Sequence, residues 1–416
     1  MRRRDLIQNI AITLLALSAL LLFSRTQFFQ LGSAAVSGCW QRITASPSSN
    51  ASDVILSDNL SAPVRTAVTG EYGRYGSISM TTGDDDFVPI KTLLREVLGS
   101  ARNRTDAAQS TFLDALGRTS VYCDFLSALP VPYLADLMGV SVESALSVRA
   151  LTAAEENGRV VLLLWDGGSR YYQCDTAVQS STLTEVLDHF ELGAASFAFE
   201  DVSGYGQRLA PLSLFPEPLP ELPQLAVSET TVPTETILSA LGFNPHTNSR
   251  YHDSEGAEVI VEGDRVIRIN ASGAFSYTSG GETALAIDAA SPAPTVREAV
   301  TGIQTLLESL LPTGEVRLYL LAVQQNDDEM SLTFGYRYGG VPIRFADGSA
   351  AAEVTLSGRT VSTLMLRPRQ YTPGSAASLL PLRQAMAIAG KNAGTELSIG
   401  YADAGTYPFP AVWLAD

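Results

Sequence analysis

An uncharged run of nineteen residues near the N-terminus, Leu6 to Ser24, constrains this chain more than any other feature of its sequence. At about 1.5 Å of rise per residue, a helix of that length crosses a hydrocarbon core of about 30 Å. Arg2, Arg3 and Arg4 precede the run, and cationic flanks stay on the cytoplasmic side. The sequence therefore predicts a single-pass protein of the cell membrane, with a cytoplasmic N-terminus and most of the chain outside.

Two processed forms of this leader are the alternatives to a retained anchor. Ser33 and Ala35 have the small side chains that a signal-peptide cleavage site requires. The segment from Val36 to Cys39 resembles a lipobox, in which Cys39 would be the acylated residue. Both sites lie far beyond the apolar run, which ends at Phe23, so we predict an uncleaved anchor.

The charge of the chain limits its partners. It has 44 acidic and 28 basic side chains, and its formal charge is -16. Such a surface repels phosphate backbones, so nucleic acid is not a predicted partner.

The three cysteines, Cys39, Cys123 and Cys174, are too few for a disulfide framework. Cys123 and Cys174 would pair only if the fold brought them together. We favour the alternative that both are small buried apolar residues.

Two segments divide the chain: residues 37–62, which are rich in small polar residues and proline, and residues 214–233, which are rich in proline. Five prolines lie within eighteen residues of the second segment, which is predicted to be extended. The predicted divisions are a cytoplasmic tip (1–5), a transmembrane helix (6–24), a stalk (25–62), a first extracytoplasmic α+β domain (63–213), a Pro-rich linker (214–233), a helix-plus-meander module (234–290) and a second such module (291–416).

Hydrophobic periodicity predicts both helices and strands outside the membrane. Apolar residues from Ile90 to Leu98 recur at helical spacing, and residues 160–174 read as a hairpin around Asp166-Gly167-Gly168. Two pairs have the spacing of a capping box, Thr182 with Glu185 and Thr295 with Glu298. The predicted fold class is α+β, with helices on one face of antiparallel sheets.

Neither a metal site nor a catalytic motif is predicted. His246 and His252, with Asp253 beside the latter, carry zinc-binding donors, but their spacing matches no established template and no third ligand is identifiable. Asp84 to Asp86 lack the alternating spacing of a calcium loop and are interpreted as a solvated turn at a helix start. Walker, nucleophile-elbow and dinucleotide motifs are absent. No catalytic residue or cofactor is predicted, although residues far apart in sequence could still assemble a hydrolase site.

Several segments carry a resemblance to a known family. They are "FVPIKTLLREVL", "RVVLLLWDGGSRYYQCD", "EVIVEGDRVIRINASGAFSY", "LPLRQAMAIAG" and "ELSIGYADAGTYPFPAVWLAD". Their order, behind one N-terminal span, resembles the YycH/YycI family of Gram-positive bacteria, which are membrane-anchored extracytoplasmic regulators of the cell-wall two-component histidine kinase. The resemblance implies a non-enzymatic accessory protein whose partners are the membrane sensor kinase, a related accessory protein and the lipid bilayer.

The resemblance also implies that the anchor contacts the kinase within the membrane. Ala11, Ala16, Ser18 and Ala19 are small enough for close contact between helices. An anchor without a partner in the membrane is the alternative for these residues. For the whole protein, the alternative is an envelope protein that binds cell-wall or peptide fragments at exposed sheet edges.

Overall fold

The computed structural model describes residues 63–78, 85–202, 204–228, 232–281, 284–311, 316–326, 329–405 and 408–416. The predicted transmembrane helix, residues 6–24, and the predicted stalk lie outside these ranges. Within them, no helix combines the length and the apolar character needed to cross a membrane.

Seven α-helices occur in the described ranges. They are α1 (Phe87–Ser100), α2 (Gln109–Leu116), α3 (Val131–Leu137), α4 (Ser180–Leu187), α5 (Thr234–Ala240), α6 (Val296–Leu310) and α7 (Leu382–Ala389). Together with two large, mainly antiparallel sheets, they confirm the α+β prediction.

The first sheet has the strand order β2-β1-β4-β5-β6-β7-β3, and every neighbouring pair is antiparallel. Its strands are β1 (Arg65–Gly70), β2 (Gly73–Ser77), β3 (Arg102–Ala107), β4 (Ser120–Pro130), β5 (Ser147–Glu156), β6 (Arg159–Trp165) and β7 (Tyr171–Gln179). Strands β6 and β7 form the predicted hairpin, which is confirmed.

Both faces of this sheet are covered, so the prediction of helices on one face only is wrong here. Leu162 and Leu164 point to the face where the predicted apolar stripe of α1 packs, whereas Val161 and Leu163 point to the opposite face, beneath α2. The unbroken apolar run of β6 is the sequence signature of a strand buried on both sides.

The second sheet contains the later strands of the chain. They are β11 (Ser249–His252), β12 (Glu258–Glu262), β13 (Arg265–Ile269), β14 (Phe275–Ser279), β15 (Val316–Gln325), β16 (Glu329–Tyr338), β17 (Val341–Phe345), β18 (Ala352–Ser357), β19 (Thr360–Leu366), β21 (Leu397–Asp403) and β22 (Ala411–Ala415). The order is β11-β12-β13-β14-β19-β18-β16-β17-β21-β22, with β15 also paired to β16.

This sheet joins strands from both predicted helix-plus-meander modules. Strand β14, from residues 234–290, pairs with β19, from residues 291–416, and the hydrophobic core continues across both. Strands β17 and β21 are parallel, which departs from the purely antiparallel meander that the sequence predicted. Residues 346–396, which include β18, β19 and α7, lie between these two strands in the chain and provide the long connection that parallel pairing requires.

The segment predicted as a Pro-rich linker, residues 214–233, contains two strands, β9 (Leu214–Phe215) and β10 (Leu222–Ser228). Strand β10 pairs with β20 (Gln370–Ala377), and β9 pairs with the short β8 (Ser196–Phe197). The segment is therefore hydrogen-bonded to other parts of the fold, while the domain boundaries drawn from the sequence remain predictions.

One predicted capping box is confirmed and the other is wrong. The hydroxyl oxygen of Thr295 accepts a hydrogen bond from the Glu298 amide, and the Glu298 carboxylate accepts one from the Thr295 amide. Helix α4 instead begins at Ser180, so Thr182 lies inside its first turn. Strand β7 ends at Gln179 and the helix follows it without a loop, so the helix begins two residues before Thr182.

Candidate functional site

The residues singled out in the sequence do not come together in the described structure. Ala11, Ala16, Ser18 and Ala19 lie outside the described residues, as do Cys39 and Asp84. His246 and His252 are exposed, and Asp253 is paired with Arg268. In the described part of the chain, no group of three or more His, Cys, Asp or Glu side chains is arranged to hold a metal ion.

Asp85 and Asp86 are exposed and immediately precede α1. Neither makes a side-chain capping hydrogen bond that would fix the first turn. This agrees with the solvated turn at a helix start that the sequence predicted.

The two cysteines of the folded body lie on different strands of the first sheet. Cys123 is on β4 and Cys174 is on β7, with β5 and β6 between them, and both are free. Each is buried, which confirms that they act as small apolar residues. Burial raises the pKa of Cys123 to about 12 and that of Cys174 to about 11.

An apolar groove of about 570 Å³ lies between α7, the loop before it and the edge strand β22. Helix α7 buries Ala385, Met386 and Ala389 in a small core, and it leaves Ile388 59% exposed at the groove. A second large apolar side chain, Leu380, is 41% exposed on the loop. The helix thus has apolar side chains on two faces, although only one face meets the core.

Trp413 fixes the far wall of the groove. Its indole nitrogen donates a hydrogen bond to the Leu380 carbonyl over 2.8 Å, and its ring meets Phe215 edge to face at 5.9 Å. Among the described residues that line the groove, none is ionisable. The groove can therefore accept apolar side chains of a ligand, but it offers no group for acid–base chemistry.

Four charged side chains connect the first sheet to the second. Arg65 on β1, Asp124 on β4 and Arg149 on β5 lie side by side, because these three strands are neighbours. Glu396, the residue before β21, completes the cluster and contacts both arginines. We call these four residues the charge cluster.

The charge cluster contains two positive and two negative groups and is largely removed from solvent. Arg149 donates from Nε to Asp124 Oδ1 over 3.1 Å and from Nη1 to Glu396 Oε2 over 2.7 Å. Arg65 also bonds both carboxylates. Because each carboxylate contacts two arginines, the buried charges compensate one another.

The arginines determine how the carboxylates of the charge cluster titrate. Burial alone would raise the pKa of Asp124, but the positive charges of Arg149 and Arg65 outweigh burial and lower it to about 2. Burial opposes ionisation of Glu396 as well, and the charge of Arg65 with the hydrogen bond from Arg149 brings its pKa below the usual value. Both carboxylates therefore stay ionised at neutral pH.

The charge cluster and the groove are adjacent in the chain. Leu397, which follows Glu396, lines the groove, and its amide donates to the Ser213 hydroxyl over 3.0 Å. The backbone of Glu396 pairs in both directions with that of Asp416, at the end of β22. Sequence reasoning missed both features. Arg65 and Glu396 of the charge cluster are 331 positions apart in the chain. The lining of the groove lies between Ser378 and Ala415, but no local pattern indicates that β22 packs beside α7.

Comparison with known proteins adds a fold-level likeness. No protein-family model matches the chain, and no curated protein matches it by sequence. Among solved structures, the chain is similar to the crystal structure of YycH from Bacillus subtilis, with a TM-score of 0.53 and 12% sequence identity. The match covers 86% of this chain and 94% of the YycH chain. The protein therefore has a YycH-like fold, and membership of the family remains a prediction.

Proposed function

We propose that this protein is a non-enzymatic, membrane-anchored extracytoplasmic regulator of a two-component sensor histidine kinase that controls cell-wall metabolism. The observation that carries the proposal is the extent of the likeness to YycH, which covers 86% of this chain and 94% of that one. A likeness over a single module would be compatible with many unrelated proteins, whereas this one includes both sheets.

In this proposal the N-terminal helix both anchors the protein and contacts the kinase. Residues 6–24 place the folded body outside the membrane, and Ala11, Ala16, Ser18 and Ala19 permit close approach of a transmembrane helix of the kinase. A related accessory protein shares the complex. The acidic surface of the chain suits a body that stays clear of anionic lipid headgroups.

The charge cluster supports a body that moves as a unit. Arg65, Asp124 and Arg149 belong to the first sheet and Glu396 belongs to the second, so displacing one sheet from the other would leave buried charges without partners.

Photo-crosslinking in native membranes tests the proposal. A benzophenone amino acid replaces Ala11, Ala16, Ser18 or Ala19 in turn. Leu17, which a helix places away from the face of Ala11 and Ser18, serves as the control position. We expect the small-residue positions to give covalent adducts with a sensor histidine kinase, identified by mass spectrometry. Adducts with lipid alone at all four positions would contradict the proposal.

The apolar groove favours a second candidate function, that of an envelope protein binding peptide or cell-wall fragments. Its volume, about 570 Å³, lies in the usual range for small-ligand sites, and apolar side chains of a peptide fit its lining. Binding to the native state raises the melting temperature. We would compare this shift, with muropeptides as the ligand, in wild-type protein and in Ile388→Asp.

Val88 supplies a matched control for that experiment. It lies on α1, far from the groove in the chain, and its side chain is 58% exposed, compared with 59% for Ile388 on α7. Ligand binding in the groove predicts a shift that Val88→Asp retains and Ile388→Asp loses. An equal shift in both variants would exclude the groove as the site.

A further inference from the structure

A second cavity, of about 440 Å³, lies where the turn between β13 and β14 meets the end of β19. Asn270, Ser272 and Ser276 contribute polar groups to it, Met365 contributes an apolar side chain, and Arg367 and Arg369 contribute positive charge. Among the described residues that line this cavity, none carries a carboxylate. In a chain with a formal charge of -16, two arginines line this cavity, and their carboxylate partners, Asp347 and Asp403, are not part of the lining.

Both arginines approach the ring of Phe345. They come from the short connection Arg367-Pro368-Arg369 between β19 and β20, and each guanidinium carbon lies 5.7 Å from the centroid of the Phe345 ring. The connection itself is fixed, since the Arg367 amide donates to the Ala351 carbonyl and the Arg367 carbonyl accepts from the Tyr336 hydroxyl, each over 2.9 Å. Two cations on a fixed backbone form a preorganised pair.

Arg367 uses only part of its hydrogen-bonding capacity. Its Nη1 donates to Asp347 Oδ2 over 2.7 Å, and its side chain is 30% exposed. A guanidinium group has five N–H donors, so one such bond leaves donors that can meet a ligand.

Arg369 has the greater unused capacity. Its nearest carboxylate belongs to the buried Asp403, at 3.5 Å from Nε, which is too long for a good hydrogen bond. The oxygens of Asp403 are already bonded, Oδ2 by the Tyr371 hydroxyl at 2.8 Å and Oδ1 by the Gly405 amide at 2.7 Å. Arg369 Nε is buried and has no hydrogen-bond acceptor among the described residues. The buried Nε lies on the side of Asp403, whereas the terminal nitrogens of Arg369 make no hydrogen bond to the described residues and belong to a side chain that is 23% exposed, so they can meet a ligand.

We propose that this cavity binds the oxyanion of a small ligand, either a carboxylate or a phosphate ester, with Arg369 as the main donor and Arg367 as the second. The guanidinium fork matches both kinds of oxyanion with paired hydrogen bonds. The hydroxyl of Ser276 and the amide of Asn270 add neutral hydrogen-bonding groups, and the half-buried Met365 is the apolar side chain that can contact the carbon part of the ligand. The proposal is independent of any kinase and is tested with purified protein.

Isothermal titration calorimetry on the full-length protein in detergent provides the test. The probes are inorganic phosphate, glycerol 3-phosphate and N-acetylalanine, which separate the free anion, a phosphate ester and a carboxylate. The variants are Arg369→Gln, Arg369→Lys and Arg367→Gln. The control is Arg250→Gln, which removes the same charge from β11, where Arg250 pairs with Glu235 on the surface.

We expect saturable binding of at least one probe, weakened at least about tenfold by Arg369→Gln and less by Arg367→Gln. Arg369→Lys keeps the charge but not the fork, so its affinity should fall between wild type and Arg369→Gln. Melting temperatures show whether each variant is folded. If Arg369→Gln is unfolded, Arg369→Lys and Arg367→Gln decide the outcome. Saturable binding of none of the probes, or equal affinity in wild type and the folded cavity variants, would overturn the proposal.

Discussion

Arg149 and Glu396 are 247 positions apart in the chain, yet Arg149 Nη1 donates to Glu396 Oε2 over 2.7 Å. Arg149 belongs to β5 in the first sheet, and Glu396 precedes β21 in the second. The contact therefore joins the two sheets through side chains and places the start of β21 against the first sheet. Because it is largely buried, its loss should be visible in the stability of the protein.

Replacing Glu396 by glutamine should lower the free energy of unfolding by about 2–3 kcal/mol. The change leaves Arg65 and Arg149 with Asp124 as the remaining carboxylate of the charge cluster, and breaking a buried ion pair typically costs about 3–5 kcal/mol. We expect a loss below that typical range because the Glu396 side chain is 17% exposed, so that water partly replaces the lost contacts. Equilibrium urea unfolding measures the difference.

Glu353→Gln is the control for this change, because Glu353 is exposed on β18 and loses the same charge. Its free energy of unfolding should stay within about 0.5 kcal/mol of wild type. Equal effects of the two substitutions would show that the charge cluster does not stabilise the fold.

The charge cluster also predicts how stability depends on pH. The arginines lower the pKa of Asp124 to about 2, from 3.8, and they lower the pKa of Glu396 below 4.5. A carboxylate with a lowered pKa stabilises the folded state above its unfolded pKa, and this contribution is lost as the pH falls. Stability should therefore decline from about pH 4.5 towards pH 2.

The decline between pH 6 and pH 3 should be smaller in Glu396→Gln than in wild type, because the variant has lost one of the two titrating groups. Unfolding curves at both pH values measure this. An identical decline in the two proteins would contradict the assignment of low pKa values to the charge cluster.

The capping box of α6 should contribute about 1 kcal/mol to stability. In Thr295→Ala the Glu298 amide loses its acceptor at the start of the helix, so the free energy of unfolding should fall by that amount. Thr305→Ala, at an exposed position in the middle of the same helix, should have no such effect, since alanine is a good helix former. A loss of the same size in both variants would rule out a capping contribution.

The buried cysteines should be unreactive in the folded protein. Their burial raises both pKa values, to about 12 for Cys123 and about 11 for Cys174, so little thiolate forms at pH 8. In a Cys39→Ser variant, a thiol reagent should find no reactive thiol before denaturation and two per chain after it. Fast reaction of the folded protein, or fewer than two thiols after denaturation, would contradict this picture.

Local sequence patterns predicted many elements of the fold because short-range forces determine them. The apolar spacing from Ile90 to Leu98 predicted α1, and the Asp166-Gly167-Gly168 turn predicted the β6–β7 hairpin. Gly242, whose φ is +69°, lies just past the end of α5, where helices commonly end on a glycine with positive φ.

Long-range pairings were not readable from the same patterns. The parallel pairing of β17 with β21 depends on where α7 carries the chain, and the pairing of β10 with β20 joins residues more than 140 positions apart. The charge cluster has the same origin, because nothing near Glu396 in the sequence indicates that its partners are Arg65 and Arg149. The proposed oxyanion cavity depends on the pairing of β14 with β19, which also joins strands far apart in the chain, so neither it nor the charge cluster could be predicted.

The central claim is that the N-terminal segment connects this YycH-like body to a sensor kinase. The most direct measurement is the phosphorylated fraction of the cognate response regulator in the native host. A strain lacking the gene is complemented either with the full-length protein or with a version whose residues 6–24 are replaced by an unrelated span of the same orientation. The account predicts that the full-length protein alone restores the wild-type fraction, although both proteins reach the membrane in equal amounts. Restoration of that fraction by the chimera would contradict it.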